Sequence, residues 1–129
     1  MDNSSLLQSF IIEAYKNQKN KKSIDVYNIK QEGENALCGD AITFYINVVD
    51  DVIKDVGYDA KGCVISQVFT SVLSEYMVGK NWNKVLDEIS FDDIYNTVGV
   101  SLSPTRLKCA KLPFETIKIA LNKNMGMIR

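Results

Sequence analysis

The spacing of apolar positions changes twice along this chain and divides it into a helix, a sheet and a helical half. Over 4–17, Leu6, Leu7, Phe10, Ile11, Ala14 and Tyr15 recur at helical spacing, and Ser4 or Ser5 is placed to cap the helix. The polar run from Lys16 to Ser23 has no period and reads as a solvated connector. From residue 24 the period falls to two. Ile24, Val26, Tyr27 and Ile29 mark a first strand over 24–30, and 31–37 reads as a polar loop containing Gly33. The cleanest alternation follows over 41–49: Ile42, Phe44, Ile46 and Val48 point one way, and Thr43, Tyr45 and Asn47 the other. Asp50-Asp51 makes a tight turn into a third strand over 52–60, with Val52, Val56 and Tyr58 on one face.

At Gly62-Cys63 the helical period returns. Ile65, Val68, Phe69, Val72, Leu73 and Tyr76 form one stripe, and Gly79 is a natural stop. A short helix over 82–89 turns Trp82, Val85, Leu86 and Ile89 to one side. Ser90 caps another, with Asp92 and Asp93 in its first turn and Gly99 closing it. After a loop over 100–104, Pro104 starts a helix through Cys109. Pro113 is expected to interrupt that helix and start a last one, with Phe114, Ile117, Ala120 and Leu121 inward. The expected fold is α+β: a three-stranded antiparallel sheet with helices packed on one face, as a single domain over 1–129.

Composition narrows the chemistry. The 129 residues are 46% hydrophobic and 24% charged, with a formal net charge of -1, so no bulk electrostatics favour nucleic acid or an anionic membrane as partner. The start has no basic segment before an apolar run, and no apolar run is long enough to span a bilayer. A cytoplasmic or equally reducing compartment is therefore expected. There is no histidine, which removes Ser-His-Asp and Cys-His catalysis and every histidine-containing metal site.

Three cysteines remain, an odd number that does not suit a disulfide framework. Scattered cysteines are more often small buried hydrophobes than a site. Their settings argue for more. Cys38 lies in Leu37-Cys38-Gly39-Asp40, Cys63 in Lys61-Gly62-Cys63-Val64, and Cys109 between Lys108 and Ala110. Cys63 falls at a helix start, where free amides and the helix dipole favour thiolate. If strands two and three form a hairpin, Cys38 and Cys63 become neighbours. Cys109 then has to arrive from the C-terminal helical region, and Asp40 could add a fourth ligand. Three thiolates and a carboxylate suit a zinc ion or an iron–sulfur cluster. Single ligands on separate loops, without a Cys-x-x-Cys knuckle, suggest an open, exchangeable site.

In these residues the chain resembles the U-type iron–sulfur cluster assembly scaffolds: IscU, SufU and the N-terminal domain of NifU. The family motif Asn-Pro-x-Cys-Gly-Asp reads Asn35-Ala36-Leu37-Cys38-Gly39-Asp40 here. Gly-x-Gly-Cys-x-Ile-Ser reads Ala60-Lys61-Gly62-Cys63-Val64-Ile65-Ser66, and the third cysteine is Cys109. An N-terminal signature is echoed by Ala14-Tyr15-Lys16-Asn17-Gln18-Lys19-Asn20, and the likeness covers about 5–123. The resemblance implies a scaffold rather than a turnover enzyme. A pyridoxal-phosphate cysteine desulfurase would deliver sulfur, a transient [2Fe–2S] cluster would form on Cys38, Cys63 and Cys109, and acceptor proteins would receive it. Asp40 matches the family aspartate, linked to zinc ligation and cluster lability. The alternative it implies is a SufU-type zinc-dependent sulfurtransferase that accepts sulfur from its desulfurase and activates it. Cys109 is the sulfur acceptor by likeness to IscU, and Cys38 by likeness to SufU. Lys108 stands where IscU has histidine, as in SufU, yet the Cys63–Cys109 interval is short, as in IscU. Lys108 reads either as a cation for the sulfur site or as a solvated helix lysine. The IscU chaperone-recognition motif survives only as Leu102-Ser103-Pro104-Thr105-Arg106, which counts against contact with a dedicated Hsp70-type chaperone.

Overall fold

The structure, a computed structural model, describes residues 4–124, with side-chain environments from Ser9 onward. Helix α1 spans Ser4–Lys16. Three strands follow: β1 Ile29–Asn35, β2 Asp40–Val49 and β3 Val52–Lys61. Four helices complete the described residues: α2 Val64–Met77, α3 Trp82–Glu88, α4 Phe91–Val98 and α5 Pro104–Lys123. The sheet is antiparallel in the order β1-β2-β3. The alternation of β2 is realised as expected: Ile42, Phe44, Ile46 and Val48 are buried and the residues between them only partly so. Helices α2 and α5 cover that face, α5 along β1 and α2 along β3, as the α+β expectation required. Ile11 and Ala14 of α1 are half-buried, and α1 packs on α2; Leu6 and Leu7 lie outside the described side chains.

Three sequence expectations are corrected. The first strand is not 24–30 but Ile29–Asn35, so most of the supposed 31–37 loop is strand. Its sequence, IKQEGEN, has one core apolar residue, Ile29, and so carried no alternation to read. Directly paired residues share a face. Gln31, Gly33 and Asn35 pair with Phe44, Ile42 and Asp40 and therefore turn toward α5. Gly33 is needed there, because a Cβ would collide with Thr116 Oγ1. The apolar residues ahead of β1 serve the opposite face: Tyr27 packs edge-on against Tyr45, with ring centroids 5.0 Å apart.

The second correction is in β3. Asn47 pairs with Asp55 but Val48 pairs with Ile53, so Lys54 is an extra, bulged residue. The bulge flips the parity, and Ile53 rather than Val52 enters the core beside Val56 and Tyr58. The third is Pro113, which interrupts nothing. Helix α5 runs through it from a Ser103 cap, whose Oγ accepts the Arg106 N–H, to Lys123. An interior proline costs a helix about 3 kcal/mol. Here Cys109, Leu112, Pro113, Phe114, Ile117, Ala120 and Leu121 are all buried, and packing of that stripe outweighs the loss.

The expected solvated connector is tied down as well. After α1 it runs as a strap over the β3 edge. Tyr58 N–H donates to Asn20 O at 2.9 Å, and Lys22 O and the Ile24 side chain lie over Gly57. The buried Tyr58 hydroxyl donates to Gln18 Oε1 at 2.8 Å. Burial pushes this phenol up from 10.0 to about 12; a Ser71 hydrogen bond offsets part of the rise and the Glu75 carboxylate adds to it. A raised folded-state value stabilises below the unfolded value and is lost as pH rises through the folded one. Between pH 10 and 12 wild type should thus lose up to about 3 kcal/mol that Tyr58→Phe does not. Urea unfolding of both proteins at pH 8 and pH 11 measures the difference; parallel losses would show that the phenol ionises without cost.

Candidate metal centre

The hairpin between β1 and β2 closes with Asn35 paired to Asp40 and carries Cys38 at its tip. Cys38 N–H donates to Asn35 O at 3.2 Å, and Gly39 supplies the left-handed step, φ 69°. Asp40 has the same parity as Ile42 and Phe44, so the strand that builds the core also drives this carboxylate inward. It is 1% exposed. Cys63 is the N-cap of α2, as the change of period predicted, and its carbonyl accepts from Ser66 Oγ and Gln67 N–H. Cys109 lies in the second turn of α5, on the buried stripe, also 1% exposed.

These elements bring three ligand atoms together. Cys38 Sγ, an Asp40 carboxylate oxygen and Cys109 Sγ all lie within 4.8 Å of one another. Asp40 Oδ1 accepts the Cys63 backbone N–H at 2.7 Å, while Oδ2 is buried and receives no hydrogen bond. Burial pushes the Cys109 thiol up, and the neighbouring Asp40, Cys38 and Cys63 groups push it the same way. A buried carboxylate with one unpartnered oxygen, close to two sulfurs, is unfavourable by itself and fits a cation, which would stabilise the thiolates and the carboxylate together. On one tetrahedral ion with Zn–S near 2.3 Å, ligand atoms sit about 3.8 Å apart, so the trio needs only a small contraction.

Cys63 stands differently from the expectation. It reaches Asp40 through its backbone, and its sulfur accepts from Arg106 Nη1 at 3.4 Å. Cys109, expected to arrive from a distance, is already beside Cys38, held by Asn35 Nδ2 at 4.0 Å and by its own contact to Thr105 O at 3.7 Å. Arg106 escaped sequence reasoning, although the signal was present. It lies three residues before Cys109 and hence on the same side of α5. Lys108, adjacent in sequence, is turned away by about 100°. It is exposed, in a cleft of about 250 Å³ with Glu34, Asn35, Lys111 and Glu115.

The family model described as the NifU-like N terminal domain matches residues 7–128. The chain belongs to that family, the iron–sulfur cluster assembly scaffolds of the IscU and SufU type. It is 30% identical to the iron–sulfur cluster assembly scaffold protein IscU of Thermotoga maritima, over 88% of this chain and 90% of that one. It is 28% identical to the zinc-dependent sulfurtransferase SufU of Bacillus subtilis, over 95% and 93%. Among solved structures it is similar to FiSufU of Fervidobacterium islandicum AW-1, designated a SUF-system cluster assembly scaffold. That match has a TM-score of 0.74 and 33% identity, over 87% of this chain and 93% of that one. The NifU-like N-terminal structure from Brucella abortus shares the fold, with a TM-score of 0.71 at 18% identity, over 92% and 93%. Among the described residues no helix is long and apolar enough to cross a membrane.

Proposed function

We propose that this protein is a scaffold that takes sulfur from a cysteine desulfurase, takes up iron, and, with electrons from a separate protein or thiol reductant that convert the persulfide sulfur to sulfide, builds a transient [2Fe–2S] cluster for acceptor proteins. The carrying observation is the convergence of Cys38, Cys109 and the buried Asp40 carboxylate, one oxygen of which has no hydrogen-bond partner, with a third thiol, Cys63, held by Arg106. The trio suits a first ferrous ion, and Cys63, once free of Arg106, supplies the third thiolate that a cluster needs. Cys38 takes the first sulfur, because it sits half-buried on a hairpin tip beside the exposed Leu37 whereas Cys109 is enclosed. Its thiolate attacks the outer sulfur of the desulfurase persulfide. A new S–S bond forms on Cys38, the old one breaks, and the desulfurase cysteine leaves as thiolate. A carboxylate is a harder partner for a cluster iron than a thiolate, so Asp40 favours later release.

A second reading, a zinc-dependent sulfurtransferase that activates its desulfurase, is favoured by the single-ion span of the trio. Zinc would then be held by Cys38, Asp40, Cys109 and Cys63, and would keep the thiols deprotonated at neutral pH. Anaerobic purification with metal analysis and reconstitution separates the two. A brown protein with sulfur-to-iron charge-transfer absorption supports the scaffold. One tightly held zinc, with desulfurase turnover rising on addition, supports the sulfurtransferase. No metal uptake together with thiols inert to alkylation would sink both. Single substitutions rank the ligands. Cys38→Ser and Cys109→Ser should each lower zinc affinity about 100-fold and Cys63→Ser about tenfold, read by competition with a chromophoric chelator. An unchanged affinity in any one of them removes that cysteine from the ligand set.

A further inference from the structure

Gln67 lies on the first turn of α2, 5% exposed, and belongs to none of the motifs above. Its amide nitrogen donates to Gly62 O at 3.2 Å. Its amide oxygen accepts from Lys21 Nζ at 2.9 Å and from Gln18 Nε2 at 3.3 Å. Chemistry forces this orientation, since a flipped amide would set oxygen against a carbonyl and nitrogen against an ammonium. Gln18 in turn donates to Tyr15 O of α1 and accepts from Tyr58. On the other side, Gly62 holds φ 110° and leads into Cys63, whose N–H fixes Asp40 Oδ1. A continuous hydrogen-bonded path therefore runs from the end of α1, through Gln67, to the carboxylate of the metal centre.

We propose that Gln67 is a positioning residue that fastens the Gly62–Cys63 turn, and through it Asp40, to the 17–22 strap. This rests on the metal-centre reading above but is testable without metal. The Gly62 peptide has a conformation open only to glycine, so its neighbours must hold it. Gln67 is the side chain that grips its carbonyl from outside the site. Lys21, exposed and distant in sequence, becomes a residue whose loss is felt at Cys63 although it touches no cysteine.

The test uses the full chain after chelator treatment. Gln67→Leu removes both halves of the bridge. Gln67→Glu keeps the acceptor for Lys21 and sets an oxygen against the Gly62 carbonyl in place of the donor. Lys21→Met weakens the strap end. Ser74→Ala removes a strap bond, that from Asn20 Nδ2, which leads nowhere near Gly62. Alkylation at Cys63 relative to Cys38, read by peptide mass spectrometry, should rise about threefold in both Gln67 variants and less in Lys21→Met. It should stay at the wild-type ratio in Ser74→Ala. A general loss of stability would move every cysteine and leave that ratio alone. In the zinc-loaded chain, both Gln67 variants should bind about tenfold more weakly. A wild-type ratio in Gln67→Glu, or an equal rise in Ser74→Ala, overturns the proposal. Failure of wild type to bind any metal overturns the metal-centre reading and leaves the alkylation result standing.

Discussion

Gly62→Ala should unfold the metal centre and destabilise the whole domain, whereas Gly39→Ala, on the neighbouring hairpin, should do neither to the same degree. Both glycines have positive φ, 110° and 69°. Gly39 has open space around the position a Cβ would take, so alanine there meets only left-handed backbone strain, about 1 kcal/mol. At Gly62 the new Cβ would collide with Asp40 Oδ1, and it would lie 2.8 Å from Asp40 Cα and 3.0 Å from Gly39 O. Two of those atoms are backbone and cannot swing away. The chain must draw the 61–63 turn off β2, which pulls the Cys63 N–H from Asp40. Strain and the lost bond together cost about 3 kcal/mol, or about 10 °C in Tm for a domain of this size. Zinc affinity should fall at least about 100-fold, because the carboxylate loses the contact that aims it. Thermal melts and chelator competition on the two variants check this. Gly62→Ala binding zinc like wild type would mean that the turn does not position the carboxylate.

The contrast also shows what the sequence could carry. A period of two marked β2 and β3, a period of 3.6 marked α2 and α3, and the Ser90 cap and Gly99 stop marked α4. β1 was misplaced because its inner face is built from Gln31, Gly33 and Asn35, which accommodate α5 without being apolar. Nothing in a hydrophobic pattern reports a strand whose task is to let Thr116 approach. Likewise Pro113 announces a helix break locally, and only tertiary burial of the stripe around it overrides that. The bulge at Lys54 cannot be seen in a single strand, since it exists only in the pairing of β3 with β2.

The site was legible to a similar depth. Motif spacing named Cys38, Asp40, Cys63 and Cys109; the structure brings Cys38, Asp40 and Cys109 together and sets the Cys63 N–H on Asp40. What spacing could not give was their division, with Cys38, Asp40 and Cys109 drawn together and the Cys63 thiol on Arg106. That division depends on which residues of α5 share a face. The charge that reaches a sulfur belongs to Arg106, a turn before Cys109, rather than to Lys108 beside it.

Asp40→Asn should separate stability from metal binding more sharply than any other single change. Asparagine keeps the shape, and its Oδ1 can still accept the Cys63 N–H that Asp40 receives at 2.7 Å. Its nitrogen replaces Oδ2, the buried oxygen that receives no hydrogen bond, with a donor on a side chain close to the two sulfurs. The metal-free chain should therefore be at least as stable as wild type, because an unpartnered charged oxygen has been removed from the interior. Metal binding should fall at least about 100-fold, since a ligand and a negative charge are lost and an N–H group now points at the ion. Asp40→Ala should be worse on both counts. It strands the Cys63 N–H, a loss of about 1–3 kcal/mol, and leaves a gap at the first position of β2. Urea unfolding with and without zinc gives all six stabilities. If Asp40→Asn is less stable than wild type without metal, Oδ2 has a structural role that the fold rewards. If it is equally stable and binds zinc unchanged, the carboxylate is not a ligand. A variant that folds more stably without metal and binds worse would mark Asp40 as a residue kept at a cost to the fold for the ion it holds.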